Sequence, residues 1–259
     1  MDGGRTIDIN ADLGESYGSW QMGQDEELMK HITSANVACG FHAGYPSVMR
    51  HTVSLAKALG VNVGAHVGYP DLNGFGRRRM DLTLKEIVNN TVYQVGALAA
   101  FCSIEGTTLT HIKAHGALYT TAVLDEQTAG GFLQAVKALA MDLPVYLPAG
   151  TRLIDRARDA GLRVVAEAFV DRLYDEELRL VSGLTPGAIY GDPALVADQA
   201  FDIVVRGRVQ TLGGKVREIS AESICLHGDN PMVLENVRAV RRRLLEAQVA
   251  FSRPGSSAL

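Results

Sequence analysis

Short apolar runs rich in β-branched residues alternate along the chain with longer amphipathic stretches. This alternation is typical of repeated βα units, in which helices cover a parallel sheet. The short runs predict seven strands, at Ile7–Leu13, Ser34–Cys39, Val61–Val67, Thr110–Ala114, Pro144–Leu147, Arg163–Ala168 and Ser223–Leu226. Apolar positions at helical spacing predict helices at Ser47–Leu59, Leu84–Cys102, Glu126–Ala140, Arg152–Ala160, Asp192–Gly207 and Pro231–Gln248.

A barrel fits this order of elements better than a doubly wound sheet. No Gly-x-Gly-x-x-Gly follows the first strand, so the dinucleotide-binding fold lacks its main signal. A length of 259 residues is normal for one α/β barrel. We therefore predict a single barrel domain over residues 1–251, followed by a flexible tail at 252–259.

Polar residues recur on one face of the predicted strands. Successive side chains of a strand point to opposite faces, so in Ile7–Leu13 the apolar odd positions suit the helix layer. Asp8, Asn10 and Asp12 then face the barrel axis, where polar groups are costly unless they are paired or functional. The same parity places a polar side chain at the end of most other strands.

A barrel gathers the C-terminal ends of its strands into one pocket, so these polar side chains are expected to form one site. They are Asp12 and Glu15 after the first strand, His42 after the second, His66 after the third, Lys113 and His115 at the fourth, Glu167 and Asp171 at the sixth, and His227 and Asp229 after the seventh.

Each candidate also has a structural interpretation. Asp12 and Glu15 could cap the next helix, and each histidine taken singly could be a hydrogen-bonded core residue. Four histidines at four strand ends favour function. Lys113 could form a salt bridge inside the barrel with Asp8 or Glu167, as the alternative to polarising a carbonyl.

The stretch Gly68–Asp81 is rich in Gly, Pro and Arg and follows the third strand, so we expect an active-site loop that acts as a lid. Its three consecutive arginines, Arg77–Arg79, either hold an anionic substrate or form a solvated run. Cys39 precedes His42 by three residues, but a buried strand residue is preferred over a nucleophile. His31, His51 and His111 are assigned to the surface or to packing.

Composition narrows the class of protein. Apolar residues make up 47% and charged residues 21%, which predicts a globular core. The net charge of -4 gives no broad attraction for nucleic acid. No leader and no apolar run of about 20 residues is recognised, so we expect a cytoplasmic protein without a membrane span. The three cysteines lack metal-binding or disulfide spacing.

Several motifs in order resemble the LamB/YcsF family. They are IDINADLGES (Ile7–Ser16), SANVACGFHAG (Ser34–Gly44), GAH (Gly64–His66), PDLNGFGRR (Pro70–Arg78), HIKAHGALY (His111–Tyr119), EAFVDRLY (Glu167–Tyr174) and CLHGDN (Cys225–Asn230). Because they span nearly the whole chain, they are far more specific than any single histidine. The resemblance implies a seven-stranded (β/α) TIM-like barrel of the glycoside hydrolase/deacetylase type.

The resemblance also implies an activity, the opening of the lactam of 5-oxoproline to glutamate with ATP as co-substrate. The implied partners are the carboxyltransferase-like subunits B and C of a 5-oxoprolinase, and self-association stays open. Opening an amide requires activation of its oxygen, deprotonation of a water and protonation of the leaving nitrogen.

From these chemical requirements and the resemblance we assign roles to the candidate residues. The catalytic set is Asp12, Glu15, Lys113, His115, His227 and Asp229. The substrate-binding set is Asn10, His42, His66, Arg77, Glu167, Asp171 and Arg172. A divalent metal is expected at Asp12, His42, His66 and His115, because the related deacetylases use one.

Two other functions stay open. One is a stand-alone metal-dependent amidohydrolase or deacetylase on the same barrel, which needs neither ATP nor partners. The other is a non-catalytic component that presents a carboxylated molecule to carboxyltransferase-like partners. The chain also departs from the family pattern, with Tyr45 where an Asp is usual and Gly183 where an Arg is usual, and both changes bear on the substrate.

Overall fold

The structure is a computed structural model that describes residues 5–183 and 185–254. Its strands, in chain order, are β1 (Thr6–Leu13), β2 (Ser34–Ala38), β3 (Asn62–Val67), β4 (Leu109–Ala114), β5 (Val145–Pro148), β6 (Val164–Phe169), β7 (Arg208–Gln210), β8 (Val216–Glu218), β9 (Ser223–Leu226) and β10 (Ala250–Phe251). In these residues seven parallel strands form a closed barrel in the order β1-β2-β3-β4-β5-β6-β9, which β9 closes by pairing with β1. The seven predicted strands are confirmed, each boundary within one residue.

Helices cover the outside of the barrel. They are α1 (Asp25–Met29), α2 (Pro46–Leu59), α3 (Leu84–Ile104), α4 (Gly116–Leu124), α5 (Glu126–Ala138), α6 (Arg152–Asp159), α7 (Pro193–Arg206) and α8 (Val233–Glu246). The six predicted helices are confirmed. The predicted ends of α7 are its caps: the Asp192 side chain accepts from the Ala194 N–H, and Gly207 adopts the left-handed conformation that ends a helix.

Among the α-helices and strands, the sequence prediction missed five for identifiable reasons. α1 has only five residues. α4 is apolar at most positions and buried on several sides, so it lacks the amphipathic period of a surface helix. β7 and β8 are three-residue strands of mainly exposed side chains, and β10 has two residues.

The interior of the barrel consists of stacked polar layers. In the layer nearest the N-terminal ends of the strands, Asp8 accepts hydrogen bonds from Ser34, Thr33, Tyr146 and Ser223. Burial raises the pKa of Asp8, and these hydroxyl donors counter part of that effect. Asp8 is therefore a structural group, remote from the C-terminal mouth.

The next layer holds Asn10, Asn36 and His111. The Asn36 amide donates to Asn10 Oδ1 at 2.7 Å, and His111 Nε2 lies 2.8 Å from Asn36 Oδ1. The His111 ring stacks on Tyr146 with centroids 4.3 Å apart. Burial, with a contribution from Lys113, lowers the pKa of His111 to about 3, so this histidine is neutral. Its assignment to packing is confirmed.

Helix α3 begins at a capping box and packs on the barrel. The Thr83 hydroxyl accepts from the Glu86 N–H, and the Glu86 carboxylate accepts from the Thr83 N–H. By length and composition α3 could cross a membrane, a feature that we did not expect from the sequence. Its residues Val95 and Leu98 are buried, and it packs against β3, β4, α2 and α5, so α3 is a covering helix of this barrel.

The C-terminal segment returns to the N-terminal end of β1. Strand β10 pairs with β1, and the Ser252 N–H donates to the Ile7 carbonyl at 3.1 Å. Of the predicted tail at 252–259, positions 255–259 lie outside the described residues.

Candidate active site

Lys113 is the hub of the third polar layer. Its Nζ lies 2.8 Å from Glu167 Oε1 and 3.1 Å from each of Asp12 Oδ1, Asn10 Oδ1 and Cys225 Sγ. The side chain is 1% exposed. An ammonium has three hydrogens, and its hydrogen bonds to Asn10, Asp12 and Cys225 use all of them, while Glu167 is an ion-pair partner. The salt-bridge interpretation is thus favoured, with Asp12 and Glu167 as partners and without Asp8.

The charges in this layer support one another. Burial alone would lower the pKa of Lys113, but Asp12, Cys225 and Glu167 hold it well above its usual range. Burial would likewise raise the pKa of Asp12, yet His66 and Lys113 keep it well below its usual range. Asp12 is therefore ionised and Lys113 is charged, and each stabilises the other in the low-dielectric interior.

Above this layer, Glu15, His42, His66 and His115 come together at the C-terminal ends of β1, β2, β3 and β4. Each offers one ligand atom, and these four atoms lie within 4.8 Å of one another. Glu15 Oε1 is 3.4 Å from His42 Nε2 and 3.7 Å from His115 Nδ1, and His115 Nδ1 is 3.0 Å from His66 Nε2. All four residues are buried. We call these residues the Glu–His cluster.

Glu15 reaches the cluster because the chain turns at Gly14, whose φ of +70° is in the left-handed region that favours glycine. The next helix, α1, begins only at Asp25, and its N-cap residue is Gln24. Neither Asp12 nor Glu15 is a helix cap, so that alternative is wrong. Burial raises the pKa of Glu15 well above its usual range, and Asp12 and Asp229 add to the effect.

The Glu–His cluster has the donor set of a divalent cation site. Among the described residues no hydrogen-bond partner is found for Glu15 Oε1, for either ring nitrogen of His42 or for His66 Nδ1, although all are buried. Unpartnered buried polar atoms are costly. A transition-metal ion held by the converging imidazole and carboxylate groups would satisfy one atom of each of these residues.

The expected metal set included Asp12 in place of Glu15. Asp12 Oδ2 does lie 3.4 Å from His66 Nε2, but its Oδ1 accepts from Asn36 and from Lys113. Asp12 therefore lies beside the Glu–His cluster as the partner of His66, and Glu15 takes the position at the converging point.

The loop Gly68–Asp81 closes over the Glu–His cluster. The Phe75 ring packs edge-on against His42 and His115, with centroids 5.7 and 5.2 Å apart. A Cβ at Gly76 would lie 2.7 Å from His42 Cβ and 2.8 Å from the His115 ring, so only glycine allows this approach. Gly76 also has φ +62°. The loop is in the position expected of a lid.

One ion pair joins the lid to the opposite side of the mouth. Arg77 binds Asp229 at 2.5 Å, with side chains 52% and 23% exposed. Arg78 pairs with Asp71 inside the loop, and Arg79 lies 3.9 Å from Asp125. The three arginines thus bind carboxylates of the chain itself, which differs from a freely solvated run.

His227 and Asp171 form a pair at the rim of the site. His227 Nδ1 lies 3.1 Å from both Asp171 oxygens, and the His227 N–H donates to Asp171 Oδ2. Burial would lower the pKa of His227, but Asp171 raises it above its usual value.

The neighbouring Arg172 donates to the Val181 carbonyl at 2.6 Å, while its buried Nε has no partner among the described residues.

The structure therefore divides the predicted residues into three groups. The lower group is buried and supports the site; it comprises Asn10, Lys113 and Glu167. The central group comprises Asp12, Glu15, His42, His66 and His115. The rim group comprises Arg77, Asp171, Arg172, His227 and Asp229. Cys39 is buried, with its thiol directed at the Val37 carbonyl and its pKa raised by burial, so it stays a core residue.

Sequence reasoning did not assign roles to Asn36, Tyr119 or Phe75. Asn36 donates to Asp12 Oδ1 at 2.8 Å, and its inward parity on β2 is a signal for that contact. The Tyr119 hydroxyl donates to Glu167 Oε2 at 2.9 Å. Tyr119 follows His115, the N-cap of α4, by four residues, so helical spacing returns it to the same side.

Comparisons with known proteins agree with this architecture. The family model described as LamB/YcsF family matches residues 7–258. A protein from Pyrococcus furiosus, named as the A subunit of 5-oxoprolinase, is 47% identical over 243 residues, which is 94% of this chain and 95% of that protein. One of the same name from Acinetobacter baylyi is 48% identical, with 92% of this chain and 94% of that protein covered.

Solved structures show the same fold. A lactam utilization protein from Thermus thermophilus has a TM-score of 0.89 and 45% identity, covering 95% of this chain and 98% of that one. The catalytic domain of a peptidoglycan N-acetylglucosamine deacetylase from Eubacterium rectale has a TM-score of 0.53 at 10% identity, covering 100% of this chain and 92% of that one. The second likeness concerns the fold alone, which is the deacetylase-type barrel.

Proposed function

This chain belongs to the LamB/YcsF family, and on that premise we propose that it is the A subunit of an ATP-dependent 5-oxoprolinase. It would open the lactam of 5-oxo-L-proline to L-glutamate in a complex with the carboxyltransferase-like subunits B and C. The relatives named as the A subunit of 5-oxoprolinase cover more than nine-tenths of the chain, and their name supports a role as one subunit of several. We place this reaction in the cytoplasm.

The observation that carries the proposal is the convergence of the Glu–His cluster beside the ionised Asp12. The convergence gives acid, base and cation-binding groups one common centre at the mouth of the barrel. Such an arrangement suits an amide, whose opening needs charge stabilisation on oxygen and proton transfer at both the water and the nitrogen.

The reaction proposed for the complex balances as follows. ATP phosphorylates the lactam oxygen and leaves as ADP. One water molecule adds to the activated carbon, and the C–N bond breaks as the nitrogen accepts a proton, which leaves an acyl phosphate of glutamate. A second water molecule hydrolyses this acyl phosphate. The products are glutamate, ADP and inorganic phosphate.

We assign the proton transfers to groups whose states are fixed by their neighbours. Asp12, which Lys113 keeps ionised and to which the Asn36 amide donates, orients the His66 ring. His227, whose pKa Asp171 raises, carries a proton at the rim and would donate it to the leaving nitrogen. Lys113 acts as a positioning residue for Asp12, because its donors are all used inside the barrel.

A divalent cation fits the Glu–His cluster and would be held by Glu15, His42, His66 and His115. When bound it would supply Lewis-acid polarisation of a carbonyl or a bound water. At the rim, Arg77 and Arg172 are proposed to bind the substrate carboxylate, for which a planar guanidinium is well suited. Arg77 would exchange its Asp229 partner for that carboxylate.

The Glu–His cluster also favours a second candidate, a metal-dependent amidohydrolase that works without ATP or partners. The distinguishing experiment measures glutamate formation from 5-oxoproline by the purified chain with subunits B and C of the same organism and ATP. Each component is then omitted in turn. We expect glutamate only with all components present. Turnover by the chain alone without ATP would support the second candidate, and no turnover of the complete mixture would contradict the first.

A further inference from the structure

A groove of about 1290 Å³ runs along the outer wall of the barrel, away from the candidate active site. Helix α6 forms one side, through Arg152, Asp155 and Arg158, and the β7–β8 hairpin forms another, through Val216 and Glu218. Its floor reaches Ala166 on β6. At this part of the outer wall a two-stranded hairpin covers the barrel, and a cleft remains between the hairpin and α6. We call it the α6 groove.

Strand β8 presents an edge to the α6 groove. Among the described strands β8 pairs with β7 alone, and β7 packs against α7. The other edge of β8 therefore has no strand beside it, and Val216 on it is 61% exposed. Edge strands expose rows of backbone donors and acceptors that can pair with another chain.

The hairpin is anchored to another segment near its tip and closed by its own hydrogen bond at its base. Near the tip the Leu212 N–H donates to the Tyr174 carbonyl at 2.8 Å, and the Thr211 hydroxyl donates to Glu176 Oε1 at 2.6 Å. At the base the Ile219 N–H donates to the Gly207 carbonyl at 2.9 Å. The edge is thus preformed, which lowers the ordering entropy that a binding partner must overcome.

The lining of the α6 groove is basic. Five arginines line it against three carboxylates: Arg5, Arg152, Arg158, Arg206 and Arg208 against Asp155, Glu218 and Glu222. Arg206 and Arg208 bind Asp202 at 2.7 and 3.5 Å. Arg152 and Arg158 are exposed, and within residues 5–183 and 185–254 neither forms an ion pair, whereas Arg156 on the same helix reaches Glu126.

We propose that the α6 groove binds an extended, acidic segment of another protein chain. The segment would add a strand to the free edge of β8 and set its carboxylates against Arg152 and Arg158. Charge complementarity selects an acidic occupant, and the row of backbone groups on β8 selects an extended polypeptide over a compact anion. The inference is independent of the proposed reaction, although a multi-subunit enzyme would supply such a partner.

The test uses a fluorescein-labelled octapeptide of alternating Glu and Val, with an octapeptide of alternating Lys and Val as its control. Fluorescence anisotropy is measured with the full chain, with the double variant Arg152→Glu/Arg158→Glu and with Arg156→Glu. The last variant reverses a charge on the same helix outside the groove. We expect the acidic peptide to bind more tightly than the basic one. Its affinity should fall at least tenfold in the double variant and stay unchanged in Arg156→Glu.

Strand addition is tested separately from charge. Val216→Pro keeps both arginines but removes a backbone donor and disturbs the edge, so it should also weaken binding. Hydrogen exchange should show protection of the amides of β8 by the peptide, and circular dichroism checks that each variant is folded. Equal binding of the two peptides, undiminished binding by the double variant, or displacement by inorganic phosphate without any protection of β8 would each overturn the proposal.

Discussion

The Nε2 atom of His115 lies 2.8 Å from the carbonyl oxygen of Phe75. A carbonyl only accepts, so this nitrogen carries the hydrogen, and the lone pair of Nδ1 is directed at His66 Nε2, 3.0 Å away. Metal-binding histidines usually have a backbone or carboxylate acceptor of this kind on their other nitrogen. The backbone of the lid thus orients a side chain of the Glu–His cluster.

A divalent cation is therefore expected to bind the Glu–His cluster. Zn²⁺ titration by calorimetry should give one site in the unmodified chain, and His42→Ala and His115→Ala should each weaken it by at least about tenfold. His51→Ala is the matched control, because His51 is exposed and lies outside the cluster. Equal affinity in all four proteins would show that the cluster is not a cation site.

Replacing Lys113 by Met should destabilise the fold strongly. The change leaves the carboxylates of Asp12 and Glu167 buried without their cation, and breaking a buried pair in this way costs about 3–5 kcal/mol. Tyr119→Phe removes only one hydrogen bond to Glu167 and should cost about 1 kcal/mol. Urea unfolding measures both. A Lys113→Met protein as stable as the parent would contradict the described hub.

The alternation of strand residues predicted which side chains meet inside the barrel. Asp8, Asn10 and Asp12 do lie on one face of β1, in three successive layers, because side chains two apart on a strand share a face. Their roles were harder to predict. Asp8 and Asn10 bind other groups of the interior. The sequence pattern does not distinguish polar groups that hydrogen-bond one another inside the barrel from polar groups that are available to a ligand.

Other parts of the site could not be predicted from the alternation of residues along a strand. Glu15 joins the cluster because Gly14 turns the chain out of the strand, and after that turn the alternation no longer applies. Phe75 contributes a backbone carbonyl, which has no side-chain signature in the sequence. The Arg77–Asp229 pair joins residues 152 positions apart, so it follows from the closed fold rather than from local spacing.

Removing the Arg77 side chain should loosen the lid with little effect on global stability. Arg77 and Asp229 are partly exposed, and such ion pairs contribute less than about 1 kcal/mol. Arg77→Ala should therefore change the free energy of unfolding only slightly while hydrogen exchange in the loop Gly68–Asp81 becomes faster. Arg163→Ala removes another exposed pair, with Asp142, and is the control. Unchanged exchange in the loop would refute the role of Arg77 as a latch.

Stability should depend on pH through His227. Its pKa is higher in the folded chain because Asp171 outweighs burial, so the stabilisation is full below about pH 6.5 and is lost as pH rises through the raised value. Asp171→Asn should lower the pKa of His227 and cost about 2 kcal/mol at about pH 6, with a smaller cost at about pH 9. Nuclear magnetic resonance titration of His227 checks the shift; the same His227 pKa in both proteins would contradict this pairing.

The central claim is that the side chains gathered at the C-terminal mouth perform the chemistry. Its most direct test is the rate of ATP-dependent glutamate formation from 5-oxoproline by the assembled complex containing Asp12→Asn, with His51→Ala as the control and circular dichroism as the check on folding. The account predicts that Asp12→Asn lowers the rate by about a hundredfold or more while His51→Ala leaves it unchanged. Full activity of a folded Asp12→Asn complex would contradict the account.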